Sequence, residues 1–207
     1  MVVESPLPAI ALDLDGVLAE FVDPFLAELH REFNIRVARR DVLDYDLARV
    51  AGLSHDEMDA FLKRLCRAGL YARLQPIDGA PAGVRALASM YRICILTGRP
   101  VASRGDTIRW LGRYGVPYWC LRFCGRGAKV SDTDGFAALV DDNVEEAVVA
   151  AARVPLVVLF DQPWNRADDL PANCTRVAAW TEVVRLLQQG RSRGEAARGG
   201  GAPAIRA

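Results

Sequence analysis

Short apolar runs that are almost continuous, separated by segments of helical periodicity, constrain the fold of this chain most strongly. Six such runs occur, at residues 9–14, 92–96, 118–123, 136–140, 156–160 and 175–178. Strands that are apolar on both faces are typical of a parallel sheet covered by helices on its two sides. Helical spacing of apolar residues lies between the runs, at 84–91, 108–111, 144–152 and 182–187. The alternation predicts an α/β fold with a doubly wound parallel sheet.

One long segment interrupts this alternation between the first and second predicted strands, and most of it has a helical pattern. The pair Asp23-Pro24 is typical of an N-cap and the first residue of a helix. A capping box begins at Ser54, because glutamate follows it three residues later. This is too much helix for one crossover, so we predict that residues 17–76 form a small helical cap inserted after the first strand, over the carboxyl edge of the sheet.

The remaining residues divide into a core domain and a tail. We predict that residues 1–16 and 77–189 form the Rossmann-like core. Residues 190–207 are rich in glycine, arginine and alanine and have no apolar periodicity, so we predict a disordered tail.

Charge and cysteine usage exclude several classes of protein. Lys+Arg and Asp+Glu both number 26 among 207 residues, and this zero net charge argues against a binder of nucleic-acid polymers or membrane surfaces. The longest apolar stretch, 147–160, is interrupted by Arg153 and is too short to span a membrane. The five cysteines are odd in number and have no C-x-x-C spacing, so we expect reduced thiols in a cytoplasmic protein. Nothing in the sequence specifies an oligomeric state.

Two carboxylates stand at the end of the first apolar run, in "IALDLDGVLAEF". Asp13 and Asp15 point the same way if the strand continues, and Gly16 permits a sharp turn after them. Ligands of open α/β sheets bind beyond the carboxyl ends of the strands. Like charges held together repel unless a cation or a shared proton relieves them, and Mg²⁺ prefers oxygen ligands. From this segment alone, a pair of solvated turn aspartates is the alternative.

A second acidic strand end occurs in "FAALVDDN". Adjacent residues of a strand face opposite ways, so only one of Asp141 and Asp142 is expected to face a metal directly. The other would bond Lys129 or a loop backbone. Asp142 or Asn143 is also a candidate N-cap of the following helix, and the two interpretations are compatible.

The segment "ILTGRP" ends a third predicted strand at the same edge. The hydroxyl of Thr97, the backbone N–H groups around Gly98 and the charge of Arg99 suit a phosphate. Lys129 lies in the loop before the fourth strand, from where its ammonium group could reach a transferring phosphoryl group. The alternatives are a plain turn for the first motif and a solvated loop lysine for the second.

Four motifs of the chain, DLDGVL, LTGRP, Lys129 and VDDN, follow one another in the order found in the haloacid dehalogenase (HAD) superfamily. The chain therefore resembles the phosphohydrolases of that superfamily. The resemblance implies that Asp13 is the nucleophile, forming an aspartyl-phosphate. It implies that Asp15 is the general acid for the leaving oxygen and then the base for the hydrolytic water. The dehalogenating members lack this second aspartate, so its presence favours phosphate chemistry.

The resemblance also implies a phosphate site and a cation site. Thr97 would bind the transferring phosphoryl group, and Lys129 would balance its charge and that of Asp13. The implied cofactor is Mg²⁺. Its ligands would be the carboxylates of Asp13, Asp142 and Asp141 and the backbone carbonyl of Asp15.

A finer resemblance points to the 5′(3′)-deoxyribonucleotidase-like branch, through "DGVLAEF", "YDL", "TGRP", "TIRWL" with "GVPY", and "FDQPWNR". It makes Phe21, Arg40 and Tyr45 candidates for contacting the leaving group, and Trp164 a candidate for stacking on a base or closing the site. Each of these four could instead be a core, surface or turn residue.

The expected function is therefore a phosphomonoesterase acting on a small phosphorylated metabolite, with a nucleoside monophosphate as one candidate. The alternatives are a phosphatase of a sugar or another metabolite, a phosphotransferase or phosphomutase with the same nucleophile, and a non-catalytic binding module.

Overall fold

The computed structural model describes residues 7–124, 129, 133–167 and 169–199, and side chains up to residue 192. Its strands, in chain order, are β1 (Ala9–Leu12), β2 (Ala19–Glu20), β3 (Gln75–Pro76), β4 (Arg92–Thr97), β5 (Cys120–Phe123), β6 (Ala138–Asp141), β7 (Leu156–Phe160) and β8 (Cys174–Val177). The α-helices are α1 (Val22–Phe33), α2 (Leu47–Ala51), α3 (His55–Arg67), α4 (Leu70–Arg73), α5 (Ala80–Leu87), α6 (Arg104–Arg113), α7 (Val144–Ala150) and α8 (Trp180–Gly199). The 3₁₀ turns include Arg39–Asp41, Val101–Ser103 and Pro163–Asn165.

Six of the strands form one parallel sheet in the order β5-β4-β1-β6-β7-β8, and this confirms the predicted doubly wound fold. The strand order reverses at β1, whose neighbours are β4 on one side and β6 on the other. Sites in such sheets lie at the carboxyl ends of the strands where the order reverses. The site is therefore expected where β1 and β6 end.

Both faces of the sheet are buried, as the continuous apolar runs predict. Ile10, Leu12 and Ile93 belong to the larger of two core clusters, and their alternating neighbours Ala11 and Cys94 belong to the smaller one. Because successive side chains of a strand point to opposite faces of the sheet, each face packs into its own apolar cluster.

The segment between β2 and β3 holds the helices α1 to α4, and its capping box is confirmed: the Ser54 N–H donates to Glu57 Oε2 at 2.8 Å. The predicted start of α1 at Asp23-Pro24 is wrong, because the Phe25 N–H already donates to the Phe21 carbonyl at 3.0 Å and the helix begins at Val22. Pro24 lies in the first turn, where a missing N–H costs no intrahelical bond. The domain boundaries at residues 17–76 stay a prediction.

The predicted disorder from residue 190 differs from the structure, in which α8 continues to Gly199. The helix starts from buried Trp180 and keeps Leu187 in the core, so its extension needs no new nucleation. Its last turns lack an apolar face, and for this reason the sequence pattern gave no sign of them. Residues 200–207 lie outside the described residues.

Candidate active site

Three buried carboxylates meet where β1 and β6 end. Asp13 follows β1, and its N–H donates to the Val140 carbonyl at 2.9 Å, which fixes it beside β6. Asp141 is the last residue of β6 and Asp142 follows it. Each of the three offers an oxygen, and these oxygens lie within 4.8 Å of one another. The sheet thus brings the two predicted acidic strand ends together.

Lys129 is the cation that accompanies this cluster. Its Nζ lies 2.8 Å from Asp13 Oδ2 and 3.2 Å from Asp141 Oδ2, and its side chain is only 5% exposed. The second oxygen of Asp141 accepts the N–H of Asn143 at 2.9 Å. Both oxygens of Asp141 are therefore occupied, one by Lys129 and the other by a loop N–H. These are the two partners predicted for the aspartate that does not face a metal.

Asp142 differs from Asp141 in having one oxygen to spare. Its Oδ2 accepts the indole N–H of Trp164 at 3.1 Å, whereas its buried Oδ1 has no hydrogen-bond partner among the described residues. The N-cap of α7 is Asn143, which accepts from the Glu145 N–H at 2.8 Å, so Asp142 is not needed as a cap. Asp142 Oδ1 is the cluster's best candidate for a direct metal ligand.

The cluster holds more negative charge than Lys129 neutralises. Burial raises the pKa of Asp13 to about 7, and Asp141 adds to this increase although Lys129 opposes it. Burial, followed by Asp13 and Asp141, also raises the pKa of Asp142 well above its usual range. Three carboxylates around one ammonium group, with an unpartnered buried oxygen, fit a divalent cation with oxygen ligands.

Gly16 makes room for this arrangement. Its φ of 84° is in the left-handed region, and a Cβ there would lie 2.0 Å from Asp142 Oδ2. Its carbonyl accepts the side-chain amide of Gln162 at 2.8 Å. The turn after Asp15 therefore approaches the second acidic strand end more closely than any side chain would permit.

We expect a divalent cation, added as MgCl₂, to raise the melting temperature of the wild type. We expect Gly16→Ala to lower the melting temperature and to abolish that increase. The left-handed backbone costs alanine about 1–2 kcal/mol, and the methyl group displaces the Asp142 carboxylate. Thermal unfolding without and with MgCl₂ measures both effects. Gly112→Ala is the control, because a Cβ at Gly112 meets nothing within 4 Å. A wild-type response of Gly16→Ala to Mg²⁺ would contradict the assignment.

Thr97 is the last residue of β4, the neighbour of β1, and Arg99 follows it closely. The buried Thr97 hydroxyl accepts the Arg99 N–H at 3.2 Å, and Gly98 between them is exposed. The Arg99 side chain is fully buried and binds Asp15 through two hydrogen bonds, Nε to Oδ2 at 2.8 Å and Nη2 to Oδ1 at 2.6 Å. Arg99, predicted as a phosphate ligand, thus faces Asp15 instead.

Of the four residues predicted to contact a substrate, the structure brings Trp164 into contact with the cluster and Tyr45 into its vicinity. Tyr45 is 45% exposed as a residue. Burial nevertheless raises the pKa of its hydroxyl well above the usual range, against the effect of Lys129 and with contributions from Asp142 and Asp13. Tyr45 is therefore within electrostatic range of Lys129 and the carboxylates.

The other two predicted contacts have different surroundings. The Arg40 side chain is 87% exposed, and its nearest acidic partner is Asp41 at 3.9 Å, so it points to solvent. Phe21 packs against Phe25 and Tyr71, with ring centroids 5.5 and 5.9 Å away. Phe21 therefore lies beside Tyr71. The Tyr71 ring in turn packs on Arg99, which binds Asp15, and Arg99 Cζ lies 4.7 Å from the centroid of that ring.

Sequence reasoning missed Arg39, Gln162 and Asn165. Arg39 donates to Gln162 Oε1 at 2.8 Å and lies over the Trp164 ring at 5.7 Å. Asn165 donates to the Asp142 carbonyl at 2.8 Å, which fixes the turn that carries Trp164. The available signal was polar residues on both sides of Pro163-Trp164 directly after a buried strand. No signal distinguished Arg39 from its neighbour Arg40.

Comparison with known proteins assigns the chain to a family. The family described as "5' nucleotidase, deoxy (Pyrimidine), cytosolic type C protein" matches residues 7–193. The chain belongs to this family. Over 183 residues this nucleotidase is 26% identical to a Halalkalibacterium halodurans protein named "putative nucleotidase", covering 86% of this chain and 91% of the other. Over 184 residues it is 22% identical to the 5'(3')-deoxyribonucleotidase of Bacillus subtilis, covering 86% and 97%.

A solved structure has the same fold. A HAD family hydrolase of Deinococcus radiodurans R1, described with bound phosphate and sodium, superposes with a TM-score of 0.58 at 18% identity, covering 90% of this nucleotidase and 97% of the other chain. Family and fold together confirm the predicted HAD phosphohydrolase related to deoxyribonucleotidases, an enzyme that hydrolyses phosphomonoesters. Among the described residues, no helix has the length and apolar character of a membrane span.

Proposed function

We propose that this enzyme is a Mg²⁺-dependent phosphatase of nucleoside monophosphates that works through a phosphorylated Asp13. The observation that carries the proposal is the buried cluster of Asp13, Asp141 and Asp142, with Lys129 between the first two and an unpartnered oxygen on the third. The phosphate described in the Deinococcus radiodurans structure and the names of the nucleotidase relatives support the substrate class.

The first half-reaction forms a bond between an Asp13 carboxylate oxygen and phosphorus and breaks the bond from phosphorus to the ester oxygen. The leaving oxygen takes a proton from Asp15, so the alcohol departs neutral. The Thr97 hydroxyl and the Lys129 ammonium group would hold the phosphoryl oxygens, and Lys129 contacts Asp13 at 2.8 Å. Positioning and charge neutralisation supply most of the catalysis in phosphoryl transfer.

The second half-reaction returns the enzyme to its starting state. Asp15 takes a proton from water, the water oxygen bonds to phosphorus, and the bond to Asp13 breaks with release of inorganic phosphate. The Asp15 side chain is 22% exposed, so a water molecule can reach it.

The divalent cation would be held by Asp13, by Asp142 Oδ1 and by the backbone carbonyl of Asp15, with Asp141 oriented by Lys129 beside them. When bound, it would neutralise the carboxylates and the phosphoryl oxygens together. Trp164 keeps the other oxygen of Asp142 occupied, at 3.1 Å, and so directs Oδ1 to the cation.

The test is a panel of phosphate esters assayed for phosphate release with MgCl₂ and after chelation. The panel holds 5′- and 3′-monophosphates of ribo- and deoxyribonucleosides, sugar phosphates and a nitrophenyl phosphate. We expect the highest kcat/KM for a nucleoside monophosphate and no turnover after chelation. A sugar phosphate as best substrate, or transfer of the phosphoryl group to an added alcohol in preference to water, would refute the proposed substrate or reaction.

We also expect Mg²⁺ to stabilise the fold more at pH 8 than at pH 5. In the cation-free protein the pKa of Asp13 is raised from 3.8 to about 7, so its contribution to stability is full below pH 4 and is lost as the pH rises towards 7. The pKa of Asp142 is shifted in the same direction. A bound cation offsets this loss, because it binds the ionised carboxylates.

Thermal unfolding with EDTA and with MgCl₂, from pH 5 to pH 8, measures this dependence. The difference between the two melting temperatures should grow with pH, and Asp142→Asn should remove most of it. Equal differences at pH 5 and pH 8 would contradict the assignment of the cation site.

A further inference from the structure

Arg99 has no exposed surface from which to bind a substrate. Its side chain is 0% exposed, and its guanidinium group meets both oxygens of Asp15, at 2.8 and 2.6 Å. Two parallel hydrogen bonds of this kind fix the plane of a carboxylate as well as its position. The Asp15 side chain is 22% exposed, so only the carboxylate of this pair is accessible to solvent.

The guanidinium group is itself fixed from two other sides. Nη1 donates to the Thr107 hydroxyl on α6 at 3.2 Å, and Cζ lies 4.7 Å from the centroid of the Tyr71 ring on α4. Tyr71 is buried and stacks on Phe21 at 5.9 Å with an interplanar angle of 7°. Arg99 is therefore held by the core and by the insertion, and it cannot rotate towards a phosphate without leaving all these contacts.

We propose that Arg99 is a positioning residue that holds Asp15 in the orientation needed to activate water in the second half-reaction, and that it does not bind the phosphoryl group. This inference rests on the proposed function. A carboxylate has about four lone-pair directions, and the two hydrogen bonds to Arg99 leave the others for the water. Arg99 gains and loses no proton in the reaction.

The assignment predicts a kinetic pattern that a phosphate ligand would not produce. A nitrophenolate leaves without help from an acid, so Asp13 of an Arg99→Gln variant should be phosphorylated by nitrophenyl phosphate at a near-normal rate. Removal of the phosphoryl group should then be slower by on the order of 10²-fold, because an unaligned base contributes little. The expected time course is a burst of nitrophenol approaching one equivalent per site, followed by a slow steady state.

The experiment compares Arg99→Gln, Arg99→Lys and wild type by rapid mixing with nitrophenyl phosphate and MgCl₂, with unfolding monitored for each protein. Arg99→Lys keeps the buried charge but loses the two-bond geometry, so it should show the same burst even if Arg99→Gln folds poorly. Arg109→Gln, which removes an exposed arginine of α6, is the control and should behave as wild type. Combining Arg99→Gln with Asp15→Asn should add little to the loss from Asp15→Asn alone.

Three results would overturn the inference. A loss of the burst with a raised inhibition constant for inorganic phosphate would make Arg99 a phosphate ligand. A loss of activity in proportion to unfolded protein, without a burst, would make it a structural residue. Wild-type kinetics in both Arg99 variants would give it no role in the reaction. Failure of the proposed function is distinguishable from these results. Absence of phosphatase activity would leave the wild type with no nitrophenol release, and a different substrate class would show in the panel of phosphate esters without altering the burst.

Discussion

Replacement of Asp13 by asparagine should lower phosphate release from every substrate by at least about 10³-fold, the scale on which loss of a nucleophile acts. Asparagine has nearly the same shape, but its amide is a poor nucleophile and carries no charge for Lys129 or a cation to neutralise. The present contact of Asp13 with Lys129, at 2.8 Å, would become a contact between an ammonium group and a neutral amide. Initial rates with nitrophenyl phosphate and with a nucleoside monophosphate measure the loss.

The matched control for this substitution is Asp134→Asn, which removes an aspartate with a 72% exposed side chain that pairs with Arg153 on the surface. It should keep the wild-type rate. Intact mass of Asp13→Asn should be checked, because deamidation would restore the aspartate. Full activity in a verified Asp13→Asn protein would remove the nucleophile from the proposed mechanism.

Replacement of Asp15 by asparagine should separate the two half-reactions. With nitrophenyl phosphate, whose leaving group needs no proton, we expect a burst and then a steady state about 10²- to 10⁴-fold below wild type, the usual contribution of a general acid or base. With a nucleoside monophosphate we expect no burst, because the alkoxide leaving group now departs without a proton. Rapid mixing to follow nitrophenol, and quenched-flow measurement of the released nucleoside, give the two time courses.

Equal losses on both substrates, with no burst on either, would contradict this division of roles between Asp13 and Asp15. Asp134→Asn serves again as the control. Because Asp15 shares both oxygens with Arg99, the melting temperature of Asp15→Asn must be compared with that of wild type. A lower melting temperature with an intact burst would still support the proton-transfer role.

The carboxylate cluster was predictable because it depends on topology alone. Parallel strands end at one edge, so aspartates that terminate two apolar runs come together whenever those strands are neighbours, as β1 and β6 are. The same reasoning brings Thr97 to this edge, since β4 is the other neighbour of β1. Only the direction of the sheet and the strand order are needed for these results, and side-chain packing is not.

The hydrogen-bond partner of each carboxylate oxygen was not predictable, because these partners lie on loops that are far apart in the sequence. Asp141 is occupied because Lys129 reaches it at 3.2 Å, and Asp142 has a spare oxygen because Trp164 takes only one. Arg99 turns from the expected phosphate site to Asp15 because α4 and α6 close around it. These contacts follow from tertiary packing, which residue spacing does not encode.

The helical segment between β2 and β3 was predictable in type and less so in its contacts. The capping box at Ser54 depends on residues three apart and is confirmed, whereas the start of α1 shifted because Val22 is buried. Arg39 and Arg40 are adjacent in a 3₁₀ turn and point in different directions, with side chains 28% and 87% exposed. This difference of one residue decides which arginine contacts Gln162, and no periodic pattern in the sequence indicates which of the two it is.

The chemical position of the phosphoryl group tests the central claim most directly. Asp15→Asn would be mixed with nitrophenyl phosphate and MgCl₂, quenched in acid during the slow phase, treated with borohydride to reduce acyl phosphates, and digested for tandem mass spectrometry. We predict homoserine at position 13, and none when Asp13→Asn is added to the same protein. A burst of nitrophenol without modification at Asp13, or with the phosphoryl group on another residue, would contradict the account.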